Sequence, residues 1–90
     1  MKAWQDRFFR LNREHEVELV GSSPEKVIEV LENLGWGSET SAWYPDLEVT
    51  YFRKGEEEMF LVLETYFDPK LTGQDEEVRE VQEALENSGS

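Results

Sequence analysis

Residues 46–67 read DLEVTYFRKGEEEMFLVLETYF. Two apolar-rich runs, 46–53 and 57–67, flank Arg53-Lys54-Gly55, and strand-like runs on either side of a glycine-bearing loop predict a β-hairpin. A three-residue loop with Gly55 in its left-handed third position pairs Phe52 with Glu56, Val49 with Met59 and Leu47 with Leu61. That register gathers Leu47, Val49, Met59, Leu61 and Leu63 on one face. A two-residue loop that sets Val49 opposite Phe60 splits the set. A slip of one residue turns every side chain to the other face, so the apolar pattern favours the three-residue loop. The second face then carries Glu48, Thr50, Phe52, Phe60, Val62, Glu64 and Tyr66.

Upstream of the hairpin, Ser23 is a good N-cap, Pro24 suits the first helical position, and Glu25 suits the positive end of the helix dipole. Val27, Val30, Leu31 and Leu34 form an apolar stripe with Ile28 at its edge. Gly35 is a natural residue just past the C-cap, and Trp36 can fold back on the last turn. Residues 37–42 read as a loop, and Trp43, Tyr44 and Pro45 brace it or form a contact patch. Earlier still, residues 15–20 alternate, with His15, Val17 and Leu19 on one face, and predict a strand that stops at Gly21. Trp4, Phe8 and Leu11 recur at helical spacing and predict a short N-terminal helix. Downstream, Asp68-Pro69 ends the second hairpin strand. Thr72 with Asp75 resembles a capping box for a helix from about residue 74 to 86, with Val78, Val81 and Leu85 turned inward. Residues 87–90 read as a frayed tail.

The expected fold is therefore α+β: one two-layer domain over residues 1–90, with a mostly antiparallel three-stranded sheet, two helices on one face and a short N-terminal helix. Ninety residues bury roughly 60–65% of the unfolded surface. The eleven aromatic residues matter to so small a core, because each buries a large area.

The chain holds 9 basic and 21 acidic residues, a net of −12. Residues 1–14 contain Lys2, Arg7, Arg10 and Arg13 against Asp6 and Glu14, so the rest of the chain is the more acidic for it. Such a balance repels free nucleic acid and anionic membrane and attracts basic surfaces. Excess carboxylate also serves solubility or a high-salt habitat. There is no cysteine, which excludes disulfides and thiolate chemistry. The longest apolar run, Met59 to Leu63, is too short to span a bilayer, and no signal-peptide stretch opens the chain. These features predict a soluble, cytoplasmic protein.

On a helical wheel Glu25, Glu29 and Glu32 fall together opposite the apolar stripe, and Glu76, Glu80 and Glu83 repeat the arrangement. Like charges at i, i+4 do not help a helix form. The ordinary reading is a solvated helix face. The functional reading is an anionic docking face for a basic partner, a nucleic-acid-binding protein or a toxin, on which the carboxylates act as a nucleic-acid mimic. The second reading is a chaperone-like or assembly subunit that binds a partner, or a second copy of itself, through Phe52, Phe60 and Tyr66. The N-terminal segment carrying Trp4, Phe8 and Leu11 would otherwise cover that face.

No catalytic constellation is visible. His15 is the one histidine, Ser22 and Ser23 read as turn and cap residues, and no phosphate-cradling glycine spacing occurs. Glu56-Glu57-Glu58 and Asp75-Glu76-Glu77 lack the spacing of a calcium loop. The expectation is a non-enzymatic binding protein with no cofactor and no metal.

Overall fold

The computed structural model describes residues 4–10 and 16–88. Its elements run α1 (Trp4–Arg10), β1 (Val17–Glu18), α2 (Pro24–Asn33), β2 (Gly37–Trp43), β3 (Leu47–Lys54), β4 (Glu57–Glu64), β5 (Lys70–Gly73) and α3 (Asp75–Ser88). The strands form one sheet in the order β1-β5-β4-β3-β2, and every neighbouring pair is antiparallel. The α+β class agrees with the sequence. The three-stranded sheet does not: among the described residues the sheet has five strands. The two-layer arrangement also gives way, because helices cover both faces.

The two extra strands come from segments read otherwise. Residues 37–42, expected as a loop, belong to β2, which pairs along β3. Thr72, expected as a helix cap, sits buried in β5 opposite Phe60. The first turn of α3 begins instead with Val78 N–H bonded to the Gln74 carbonyl at 2.9 Å. The helix reaches Ser88, past the expected end. The strand expected over 15–20 is confined to Val17–Glu18, while His15 and Leu11 lie outside the described residues.

α2 forms as its sequence dictates. The Ser23 hydroxyl accepts from Lys26 N–H at 3.2 Å, and Pro24 opens the helix. At the other end Gly35 takes φ +98°. Its N–H bonds to the Glu32 carbonyl at 3.0 Å, and the Trp36 N–H bonds to the Leu31 carbonyl at 2.9 Å. Those two crossed bonds define a Schellman ending, which a residue with a Cβ would resist. The ending drops Trp36 into the core, where it is 1% exposed.

The hairpin register differs from the expected one. Lys54 pairs with Glu57, Phe52 with Met59, Tyr51 with Phe60 and Val49 with Val62. The loop is the two residues Gly55-Glu56. Gly55 has φ +63° and Glu56 does not have a positive φ, which is the sign pattern of a II′ turn with glycine first. This turn suits the twist of the flanking strands. The new register reverses the face of β3 relative to β4. Phe52, Met59, Leu61 and Leu71 pack with Val27, Val30, Leu31, Val78 and Val81 beneath α2 and α3. Val49, Tyr51, Phe60 and Val62 pack with Trp4 and Phe8 beneath α1.

Each large apolar side chain taken from water here contributes about 1.5–3 kcal/mol. Under α1 the rings add their own geometry: Trp4 stacks on Tyr51 at 5.4 Å between centroids, and Phe8 meets Phe60 at 5.4 Å. Such pairs add about 0.5–1.5 kcal/mol beyond area alone. A seven-residue helix is unstable in isolation, so α1 owes its existence to this contact.

Candidate functional site

The glutamates picked out by the helical wheel are all exposed: Glu25, Glu29 and Glu32 on α2, and Glu76, Glu80 and Glu83 on α3. Their helices touch one another and cover the same sheet face. α2 and α3 together carry nine carboxylates against two cations, Lys26 and Arg79. Lys26 Nζ pairs with Glu29 at 3.3 Å in an exposed i, i+3 bridge. Arg79 stands among Glu76, Glu80 and Glu83 around one shallow hollow on α3. Exposed pairs of this kind are worth ~0–1 kcal/mol, so they leave the surface strongly anionic.

The aromatic trio is not brought together. Phe52 is 0% exposed beneath α2 and α3, Phe60 is 2% exposed beneath α1, and Tyr66 is 90% exposed in the turn after β4. The register is the reason: Phe52 faces Met59 rather than sharing a side with Phe60. Trp4 and Phe8 cover the face that carries Val49, Tyr51, Phe60 and Val62, which shares only Phe60 and Val62 with the face the N-terminal segment was expected to cover, and Leu11 lies outside the described residues.

Exposed aromatic surface lies elsewhere, at the end of the sheet where β2 and β4 finish. Trp43 is 76% exposed and Phe67 60%, beside Tyr66. Lys70 Nζ lies 4.8 Å from the centre of the Phe67 ring and 2.7 Å from Glu64 Oε1. The bond to Glu64 holds the Lys70 ammonium above its ordinary pKa, against a smaller effect of burial.

A trough missed by the sequence runs beside this end. It separates α2 from β2 and has a volume of about 390 Å³. Ile28 and Leu63 give it apolar lining above the buried Phe52, while Glu25, Glu39 and Glu48 stand on its rim. Glu48 and Leu63 also line a second hollow, beside Trp43. Among the described residues no cation lines either hollow. Ser41 and Thr50 bond hydroxyl to hydroxyl at 3.0 Å within the first. The only signal in the sequence was Trp43-Tyr44-Pro45; the trough itself depends on where β2 lies.

A charged network of three side chains couples α1 to the hairpin. Arg7 meets Glu58 through two nitrogens, Nε to Oε2 at 3.1 Å and Nη2 to Oε1 at 2.6 Å. The Tyr51 hydroxyl donates to Glu58 Oε1 at 2.6 Å and accepts from Arg7 Nη2 at 3.3 Å. Burial pushes the Glu58 carboxyl up, but the bonds from Arg7 and Tyr51 outweigh it and hold the group below the usual carboxylate range. Burial, then the bond to Glu58, raises the Tyr51 hydroxyl. This network is spent on holding the fold together.

Among the described residues no helix is long and apolar enough to cross a membrane, and no three His, Asp or Glu side chains are grouped as a metal ion would require. Comparison with protein-family models, with curated proteins and with solved structures gave no match.

Proposed function

We propose that this chain is a small acidic binding protein that acts without catalysis, by occupying a basic site on a partner protein in the manner of an inhibitor, decoy or immunity protein. The observation that carries the reading is the outer layer formed by α2 and α3: nine carboxylates against Lys26 and Arg79, on two touching helices with both glutamate rows exposed. A basic site built to neutralise phosphates meets the same sign of charge there. Steering of this kind raises the association rate and weakens as salt screens it.

The test is capture of partners from the native host by the wild-type chain and by Glu29→Lys with Glu80→Lys, each washed at low and high salt. Capture of one basic protein, eluted by salt and lost in the double variant, is the expected result. Equal capture by both chains removes the reading.

A second reading, an assembly or chaperone-like subunit, is favoured by the exposure of Trp43, Tyr66 and Phe67 at one end of the sheet. It moves from the sheet face to the sheet end. A complex made there resists salt and is lost on Trp43→Ala with Tyr66→Ala.

A further inference from the structure

The sheet has two unequal edges. β1, at one side, is two residues long; β2, at the other, is seven residues long and, among the described residues, pairs only with β3. Edge strands are normally blunted by lysine, proline or a bulge. β2 has neither lysine nor proline, and its one irregularity lies between Ser38 and Thr40, which leaves Glu39 out of the pairing. The stretch from Thr40 to Trp43 is regular and open on its outer side. This edge forms one wall of the trough, which Ile28 and Leu63 line with apolar surface and Glu25, Glu39 and Glu48 rim.

We propose that β2 and the trough receive an extended basic segment of a partner protein, which adds to the sheet as a sixth strand. Main-chain hydrogen bonds to β2 supply affinity, and alternate side chains supply specificity. Lysine or arginine suits the side facing the trough: the aliphatic stem lies along the β2 wall while the charged head reaches toward the rim carboxylates, Glu39 on β2 first among them. A second copy of this chain is the poorer occupant, since pairing β2 with β2 would bring acidic rims together in a molecule of net charge −12. The inference rests on the binding-protein reading and names the form of the partner's contact.

The probe is a nonapeptide of alternating lysine and valine, titrated into the full chain and followed by tryptophan emission. Trp43 is the exposed reporter, while Trp4 and Trp36 are buried. The expected result is saturable binding that changes Trp43 emission and weakens about tenfold when alternate peptide nitrogens are methylated, which removes strand pairing without altering charge. Glu39→Lys, at an exposed position, weakens it by a similar factor. Equal binding of the methylated peptide, equal binding of a glutamate–valine peptide, or no effect of Glu39→Lys overturns the proposal. So does a strand-paired dimer of the chain in the absence of peptide, measured by sedimentation. Glu39 belongs to neither glutamate row, so failure here leaves the charge-reversal test on Glu29 and Glu80 free to succeed or fail separately.

Discussion

The two faces of the sheet are closed by different means. Beneath α2 and α3 the core is mainly aliphatic, capped by 10- and 14-residue helices, with Trp36 and Phe52 as its large rings. Beneath α1 a seven-residue helix presses Trp4 and Phe8 onto Tyr51 and Phe60 and is fastened by Arg7 to Glu58. One face is held by extent of burial, the other by a few large rings and one charged clasp. The contrast implies that the second face opens more readily, because local stability follows the number of buried contacts a segment makes.

The strongest way to break this comparison is to truncate one ring on each side. Phe52→Ala leaves a cavity in the larger core and costs about 3–5 kcal/mol. A chain of this size has roughly 5–10 kcal/mol in total, so all probes should shift together to a much lower denaturant midpoint. Trp4→Ala should cost less, on the order of 2–3 kcal/mol, because the loss is capped by the free energy that docks α1. Amide exchange in α1 should then accelerate while β3 and β4 remain protected. Equal, fully cooperative losses from the two changes would show that the faces open as one.

The clasp gives a finer test. Glu58→Gln keeps the shape and removes the charge; with both partners partly exposed, screening limits its cost to about 1 kcal/mol. The carboxyl of Glu58 is held below its ordinary value, so its contribution is whole above the usual carboxylate range and is lost as pH falls through the depressed value. Wild type and Glu58→Gln should therefore converge in stability on acidification, as measured by urea titration at stepped pH. A constant gap would mean that Glu58 contributes packing rather than charge.

The same contrast explains what could be read from the residues alone. α2 was legible at both ends because Ser23, Pro24 and Gly35 act within a turn of themselves. The glutamate rows were legible because exposure on a helix follows directly from its apolar stripe. The hairpin's existence was legible and its register was not. Both faces of the sheet are buried, and Met59-Phe60-Leu61-Val62-Leu63 is apolar without alternation, so its parity carried no information. Only the conformation at Gly55 decides between the loops. β2 was illegible because GSETSAW carries almost no apolar signal and owes its form to pairing with β3. The trough was hidden for the same reason.

The clasp spans 51 positions of chain, from Arg7 to Glu58. During synthesis the ribosome releases Trp4 and Phe8 well before the strands that shelter them exist. At about 5–20 residues per second, the wait is roughly 3–10 s. Through that interval the nascent chain displays a cationic, ring-bearing stretch with nothing of its own to dock on. Chaperones that scan emerging polypeptides meet this stretch before β3 and β4 exist to cover it, and the hairpin becomes its late-arriving shield.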